Sequence, residues 1–222
     1  FKIEGRLKNE SYVRNVVRDY SMALDELTSR KPYVRGSFGS ITGGFTPNTD
    51  KTFNRGYTEL FLDGRKGKWA SMDSAKSMGE EIGCVTSVSK DKTSVTLKLR
   101  DGLTGLNNGD GFSFVAKDGT VCGFRGDVCS GNTIRCKSTA ELFAGARIYR
   151  NIDISFEKEI DRKPCIREIR VNVTVGFLDG KGWAAAETED GRKVRIDIEP
   201  GDQIADNQER MRSMICTQVG KS

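Results

Sequence analysis

The stretch Gly79-Glu-Glu-Ile-Gly-Cys-Val-Thr-Ser-Val88, with Gly145-Ala-Arg-Ile-Tyr-Arg150 further on, bounds the part of the chain that decides the fold. Between these two segments, short runs alternate apolar and polar residues. Val95, Leu97 and Leu99, for example, alternate with Thr96 and Lys98. Alternation with a period of two puts one face of a strand inward and the other toward water. The stretch is therefore predicted to consist of short, half-buried strands.

Turn signals separate these strands at regular intervals. Asn108-Gly109, Asp118-Gly119 and Ser130-Gly131 supply the positive-φ positions that tight turns require. Short strands about 8 to 12 residues apart are typical of a small closed or nearly closed β-barrel. We predict such a barrel over residues 79–152.

The N-terminal segment, residues 1–32, predicts a strand followed by a helix. Lys2, Glu4 and Arg6 fall on one face of the strand, and the apolar residues Phe1, Ile3 and Leu7 on the other. A helix with Asn9 or Ser11 as its N-cap follows and ends at Lys31-Pro32. Its apolar stripe consists of Tyr12, Val13, Val16, Val17, Tyr20, Leu24 and Leu27.

A strand followed directly by an amphipathic helix is typical of the closing unit of an α/β domain. Because the chain begins at Phe1 inside this unit, we interpret it as a fragment of a longer protein. In the last strand of a βα-barrel, the charged set Lys2, Glu4 and Arg6 would point into the lumen near the mouth, where such enzymes keep their active sites. A solvated edge strand is the alternative.

Residues 33–78 form a long connection rich in Gly, Ser and Thr, and such connections are often functional. Phe53-Asn-Arg-Gly-Tyr-Thr58 places two aromatic residues around Arg55. Aromatic rings and a guanidinium on one loop can stack a base and hold a phosphate. We therefore predict Phe53, Asn54, Arg55 and Tyr57 as substrate-binding residues. The alternative is a loop that Phe53 and Tyr57 merely pin to the barrel.

After the barrel, a charged crossover is predicted over 151–164 and a three-stranded meander beyond it. Ile169, Val171, Val173 and Val175 alternate with polar residues, Asp179-Gly180 and Asp190-Gly191 turn the chain, and Val194, Ile196 and Ile198 line the last strand. A helix from Asp202, carrying Ile204, Met211, Met214 and Ile215, ends the chain. The predicted fold is thus mainly β with a few helices, and residues 153–222 form a β-meander with a terminal helix.

Composition excludes several functions. The chain has no histidine, which removes Ser-His-Asp and Cys-His catalysis and histidine-containing zinc sites. Its six cysteines include no CxxC pair, so we interpret them as reduced core residues in a cytoplasmic protein, with no metal site. No apolar run is long enough to span a membrane.

The net charge of +5 lies entirely in residues 1–70, which hold 13 Lys and Arg against 8 Asp and Glu, whereas residues 71–222 hold 23 of each. A local basic surplus permits an anionic partner such as RNA without requiring one. A solvated basic face is the alternative.

The motifs of the first 58 residues resemble a known family. Lys2-Ile-Glu-Gly-Arg-Leu-Lys8 before the Val16-Val17 helix resembles the end of the catalytic domain of U32 peptidases, also named collagenase-like proteases. Phe53-Asn-Arg-Gly-Tyr-Thr58 and the barrel resemble the region that lies after this domain in the longer members. The barrel is also similar to the second domain of translation elongation factors, a likeness of fold only.

The resemblance implies an enzyme as the parent of this fragment. Some U32 relatives resemble RNA hydroxylases that act on a pyrimidine with prephenate and an iron–sulfur cluster. The cluster's cysteines are expected upstream, and none of the six here matches them, so we expect no cofactor in the fragment and no activity of the fragment alone. Lys2, Glu4 and Arg6 would support catalysis from the mouth of the upstream barrel.

Three functions remain open. The chain is the substrate-positioning C-terminal region of a U32 enzyme that acts on RNA, or part of a U32 protease, or a structural module that binds its own catalytic domain or a homo-oligomeric partner. We favour the first, because the charged triplet and the basic N-terminal third both suit an anionic substrate such as RNA.

Overall fold

A computed structural model describes residues 2–6, 8–30, 32–65, 76–103, 105–138, 141–199, 201 and 205–221. Within these residues the fold is mainly β with a few helices, as predicted, and the α-helices number three. The helices are α1 (Glu10–Thr28), α2 (Ile154–Arg162) and α3 (Gln208–Val219), and a 3₁₀ turn lies at Thr49–Lys51. The strands are β1 (Ser40–Gly43), β2 (Glu80–Val88), β3 (Ser94–Leu99), β4 (Gly111–Val115), β5 (Val121–Arg125), β6 (Val128–Ser130), β7 (Thr133–Arg135), β8 (Arg147–Ile152), β9 (Cys165–Glu168), β10 (Val171–Leu178), β11 (Lys181–Thr188) and β12 (Lys193–Ile198).

The chain divides into two compact units. Unit 1 comprises Phe1–Tyr33 and Gly43–Cys165, and unit 2 comprises Val34–Thr42 and Ile166–Ser222. Among the described helices, none is both long enough and apolar enough to cross a lipid bilayer.

Seven strands of unit 1 form one antiparallel sheet in the order β5-β4-β8-β2-β3-β7-β6. The outermost strands, β5 and β6, are separated in sequence only by Gly126 and Asp127. The sheet must therefore curl until its two edges approach each other. It forms a half-barrel with no ladder between β5 and β6 in the described pairings, so the predicted barrel is correct in outline but is not closed.

The concave side of this sheet holds the main apolar core. Ile82, Leu97, Ile134 and Ile148 are fully buried there, and Phe112 is 1% exposed. The Phe112 and Phe124 rings pack 5.3 Å apart between centroids. Burying each large aliphatic or aromatic side chain contributes roughly 1.5 to 3 kcal/mol, so the sheet can be stable without a covering helix.

In unit 2, β10, β11 and β12 form the predicted meander. Val175 lies opposite Ala184, and Ala184 opposite Ile196, in two antiparallel ladders. The turns fall at Asp179-Gly180 and Asp190-Gly191 as predicted, and Asp179 itself has a positive φ of 51°. β1 pairs with β9 in a separate two-stranded sheet.

Helix α1 begins where the sequence predicts. The side chain of Asn9 accepts a hydrogen bond from the Tyr12 amide, 3.1 Å away, and so caps the first turn. The predicted apolar stripe, however, lies largely open: Val17, Leu24 and Leu27 are 41 to 51% exposed.

Three local predictions need correction. Residues 2–6 form no strand, since Lys8 N–H donates to Gly5 O at 2.9 Å in a turn and the described residues supply no neighbouring strand. The crossover at 151–164 contains α2, which Asp153 caps by accepting from Phe156 N–H. Helix α3 begins only at Gln208, capped by Asn207, because residues 205–207 are not helical. Phe1, Leu7, Asp202 and Ile204 lie outside the described residues.

A buried guanidinium joins the elements of unit 1. Arg150 on β8 is fully buried, with 3.0 Å contacts to the carboxylates of Glu80 and Asp153 and a 3.6 Å contact to Asp110. Asp153 also receives Lys51 Nζ at 2.9 Å. Three carboxylates and two cations are thus gathered in a largely buried cluster, in which Lys51 and Glu80 keep 14% and 20% of their side-chain surface exposed. In such a cluster each charge depends on its partners.

Replacing Arg150 with Ala should destabilise the protein by about 3–5 kcal/mol, because Asp110 would stay buried without this opposing charge and Asp153 would keep only Lys51. Urea unfolding followed by circular dichroism measures the change. Arg147→Ala is the matched control on the same strand, since Arg147 is 72% exposed and 3.9 Å from Glu81. Equal stability of the two variants would contradict the role assigned to Arg150.

Candidate functional site

A cavity of about 430 Å³ in unit 1 brings the two predicted groups of site residues together. We call it the Tyr57 pocket. It is lined by Lys2, Ile3, Glu4, Tyr12, Val16, Asp19, Tyr20, Thr49, Phe53, Asn54, Arg55, Gly56 and Tyr57. Six of the seven predicted site residues therefore share one cavity although about 50 residues separate the two groups in sequence.

Helix α1 holds the loop that forms one wall of this pocket. Asn15 is the buried residue of the helix, and its amide nitrogen donates to Asn48 O at 2.7 Å and to Thr52 Oγ1 at 3.0 Å. Its amide oxygen accepts from Asn48 N–H at 3.0 Å. One buried side chain of α1 thus binds both ends of the 48–52 segment. Because the Phe53 motif follows this segment directly, its position relative to α1 is fixed.

Asn54 is buried, and its polar atoms are used within the protein. Its side-chain oxygen accepts from Gly56 N–H at 2.6 Å, and its side-chain nitrogen donates to Asp50 at 3.2 Å. Its backbone oxygen accepts from Met78 N–H at 2.7 Å. The structure thus gives Asn54 a positioning role, joining the loop to the segment before β2.

Phe53 is surrounded by groups of its own chain. Lys8 Nζ lies 3.1 Å from the ring centroid and Arg55 Cζ lies 5.7 Å from it, while Tyr12 makes an edge contact at 6.2 Å. A cation over an aromatic face is attracted by the ring quadrupole. Phe53 therefore gathers Lys8 and Arg55 at the pocket, and the ring face that Lys8 covers is not open for stacking.

Tyr57 is the open aromatic ring of the motif, with 58% of the residue exposed. Partial burial in the pocket raises the pKa of its phenol, and the negative charges of Asp50 and Asp19 act in the same direction. A hydrogen bond with Thr49 opposes this change. The phenol stays protonated at neutral pH, so Tyr57 offers both a flat ring and a hydrogen-bond donor.

The predicted N-terminal triplet is exposed at the rim. Lys2 and Glu4 form an ion pair of 2.6 Å, with side chains 83% and 68% exposed. Arg6 is exposed and does not line the pocket. Exposed ion pairs contribute little to stability. The Lys2–Glu4 pair can therefore separate at a small cost in free energy, and either residue can then bind a charged ligand.

Seven lining residues were not predicted as site residues, and three of these, Tyr12, Asp19 and Tyr20, are residues of α1 with polar side-chain groups. The sequence analysis predicted the two tyrosines as members of the apolar stripe of α1. Their spacing of eight residues, with Val16 between them, puts them on one helix face. The polar tips of two tyrosines on that face, beside an aspartate, were the signal that could have identified them.

The described residues contain no group of three or more Cys, Asp, Glu or His placed to hold a metal ion. Cys136 is buried, Cys84, Cys122 and Cys129 are partly buried, and Cys165 and Cys216 are exposed. Burial raises the pKa of the Cys129 thiol to about 11, which disfavours the thiolate that metals bind. The placement and burial of these cysteines do not fit an iron–sulfur cluster.

Fold and site together define a mainly β protein with an aromatic and cationic pocket beside its N-terminal helix. Residues 1–71 match the model of peptidase family U32. The matched segment includes α1 and the Phe53 motif, which are the residues on which the predicted resemblance to this family was based.

A curated relative extends the similarity beyond this segment. Over 220 residues the chain is 30% identical to a 23S rRNA 5-hydroxycytidine C2501 synthase of Escherichia coli (strain K12), covering 95% of this chain and 33% of that protein. The chain thus spans about a third of the relative's length. No solved structure matches the chain.

The raised pKa of Tyr57 predicts a late phase in an alkaline titration of the native protein. Tyrosinate absorbance should include one phenol that titrates above the ordinary value of about 10. Tyr57→Phe should remove this phase, and Tyr33→Phe, at a similarly exposed ring, should leave it in place. Because the native state holds the proton more tightly, Tyr57 contributes stability that is lost as the pH rises through this range. A late phase that survives in Tyr57→Phe would contradict the assignment.

Proposed function

We propose that this chain is the mainly non-catalytic, substrate-positioning region of a U32 enzyme that modifies RNA. The observation that carries the proposal is the convergence of Lys2, Glu4, Arg55 and Tyr57 on one pocket. In this proposal the pocket receives one nucleotide of a single-stranded segment. The name of the relative, an rRNA hydroxycytidine synthase, supports RNA as the substrate class.

The pocket suits a nucleotide for chemical reasons. Tyr57 is 58% exposed and offers an aromatic ring of the kind on which bases stack, and its phenol can donate to a base edge or a ribose oxygen. Arg55, held beside Phe53, offers a planar fork of donors for a phosphate. A volume of about 430 Å³ lies within the range of small-ligand sites.

Lys2 and Glu4 have a supporting role in this proposal. When a phosphate approaches Lys2, the exposed Lys2–Glu4 pair can open, and Lys2 then binds the anion. Arg6 stands outside the cavity and contributes at most to the surrounding positive potential. The chain itself supplies substrate binding and orientation, while bond-making and any cofactor belong to another part of the enzyme.

The exposed apolar stripe of α1 supports a second part of the proposal, namely that the chain contacts the catalytic domain of the same enzyme. Val17, Leu24 and Leu27 form an apolar line that unit 1 leaves open among its described residues. We propose that this line packs on the catalytic domain of the same enzyme. The Tyr57 pocket, on the adjoining surface of α1, would then open toward the catalytic site.

Proteolysis is the second candidate, favoured by the family's name as peptidases. The two functions differ in the polymer that the Tyr57 pocket binds. A peptide would use the tyrosines and the apolar residues Ile3 and Val16, and its binding would show little salt dependence. RNA must show a strong one.

Equilibrium binding of a fluorescent single-stranded RNA of about 12 nucleotides tests the proposal. Tyr57→Ala should weaken binding by about 1–3 kcal/mol through lost stacking, and Tyr57→Phe should retain most of it. Arg55→Ala should also reduce the slope of log affinity against log salt by about one. Anisotropy at several salt concentrations gives both quantities.

Matched controls are available on the same chain. Tyr33→Ala removes an aromatic ring of similar exposure, and Arg135→Ala removes an exposed arginine of β7. Both should bind RNA as the unmodified protein does. RNA binding that is absent at low salt, or that is equally weakened by the controls, would refute the proposed function. Binding of gelatin peptides that depends on Tyr57 but not on salt would favour proteolysis.

A further inference from the structure

A second cavity of unit 1 lies at the end of the half-barrel where β8 begins. Strands β2 and β4 flank β8 and run antiparallel to it, so both strands end there. The β2–β3 turn, the β4–β5 turn and the segment that leads into β8 therefore meet at one place. They line a cavity of about 570 Å³, which we call the Phe143 pocket. Four charged residues surround an apolar floor that includes Val88 and Phe143, namely Lys92, Lys117, Asp118 and Glu141.

The floor of the Phe143 pocket is built into the half-barrel. Val85 on β2 exchanges two backbone hydrogen bonds with the segment before β8. Its N–H donates to Ala146 O at 2.9 Å, and its carbonyl accepts from Gly145 N–H at 2.8 Å. Leu142, which precedes Phe143, is 3% exposed and belongs to the main apolar core. These contacts fix the position of the Phe143 ring at the end of the sheet.

Lys117 reaches the pocket from the β4–β5 turn. Its Nζ lies 5.2 Å from the centroid of the Phe143 ring, and within the described residues it forms no ion pair. A cation above a ring at an exposed site gains little free energy. Lys117 can therefore leave the ring and bind an anion that enters the pocket.

Lys92 reaches the pocket from the β2–β3 turn and has a backbone conformation that favours glycine. Its φ is 58°, and its N–H donates to Ser89 O at 3.1 Å. A Cβ makes this left-handed conformation unfavourable, and glycine or asparagine is the usual residue at such a turn position. A requirement for the lysine side chain at the pocket accounts for lysine at this strained position.

The two carboxylates of the pocket differ in what they can bind. Asp118 accepts from Thr120 N–H at 2.8 Å, and its hydrogen bonds with Thr120 lower the pKa of Asp118. This carboxylate is therefore used by its own turn. Glu141 is exposed and has no hydrogen-bond partner among the described residues. It can accept a hydrogen bond from a ligand.

We propose that the Phe143 pocket binds a second nucleotide of the same single-stranded RNA, with its phosphate between Lys92 and Lys117. The base lies on the apolar floor, because an aromatic ring supports a base of any type. Glu141 accepts a hydrogen bond from the ribose 2′-hydroxyl, a group that DNA lacks. The proposal takes RNA as the class of partner from the proposed function, but it does not depend on binding at the Tyr57 pocket.

The variant Lys92→Gly separates RNA binding from stability. Because glycine relieves the positive φ, this variant should unfold at an equal or higher urea concentration. It should nevertheless weaken the binding of a fluorescent single-stranded RNA of about 12 nucleotides by about threefold, as expected for the loss of one exposed ion pair. Lys117→Ala should weaken binding to a similar extent, and each variant should reduce the slope of log affinity against log salt by about one.

Three matched substitutions complete the experiment. Lys90→Ala removes an exposed lysine of the same turn that does not line the pocket, and it should leave RNA binding unchanged. Asp179→Gly relieves a positive φ of 51° in unit 2 and should also leave binding unchanged. Glu141→Ala should lower the ratio of RNA affinity to the affinity for DNA of the same sequence.

The outcomes distinguish this pocket from the Tyr57 pocket. RNA binding that Tyr57→Ala weakens but Lys92→Gly and Lys117→Ala leave unchanged would overturn the Phe143 pocket alone. The reverse result would support the Phe143 pocket and refute the Tyr57 pocket, and RNA binding that is absent at low salt would overturn both. An equal loss in Lys90→Ala would overturn the proposal, since general positive charge would then explain the effect. Binding of an acidic peptide in place of RNA, dependent on the same two lysines, would overturn it as well.

Discussion

The buried charge cluster around Arg150 is the constraint on which unit 1 depends. Its guanidinium joins β8 to Glu80 of β2, to Asp110 before β4 and to Asp153 at the start of α2. Taking these charges out of water is costly, and a buried pair adds little net stability over a well-packed apolar contact. Its effect is to penalise every arrangement in which one partner is displaced. The cluster therefore fixes the positions of the half-barrel, the loop at 105–110 and α2 relative to one another.

The cluster extends to the candidate site through Lys51. This residue lies in the 3₁₀ turn at Thr49–Lys51 and binds Asp153, while Asn15 of α1 binds the flanking residues Asn48 and Thr52. Asn54 then ties the following loop to the segment that enters β2. The Tyr57 pocket is thus built by buried polar contacts between segments that are irregular by themselves. Such contacts fix the geometry because each unpaired partner would cost about 1–3 kcal/mol.

The described residues leave apolar surfaces open on α1, on the three-stranded sheet and on α3. On α1 the line through Val17 and Leu24 is open. In unit 2 the side chains of Val173 and Val194 on one sheet face are exposed, and so is Met214 on α3. Apolar area that stays exposed makes no hydrophobic contribution to the stability of the unit.

The sequence by itself determined the local structure wherever one pattern dominated. Alternation predicted the strands around Val95 and Val173, Gly-containing pairs predicted their turns, and Asn9 predicted the start of α1. It also predicted Phe53, Arg55 and Tyr57 as site residues by residue type and Lys2 and Glu4 by their spacing, and these roles stay predictions. It missed α2 because charged residues concealed the buried pair Phe156 and Ile160.

Only the tertiary structure decided which of these residues meet. Lys8 covers a face of the Phe53 ring, and Asp50 accepts a hydrogen bond from Asn54. Both residues therefore contact other parts of the chain, whereas Tyr57 is exposed. The tertiary structure also replaced the predicted N-terminal strand by an irregular segment, because a strand requires a neighbour to pair with. Local patterns record what a residue prefers, and long-range contacts decide which preferences can be satisfied together.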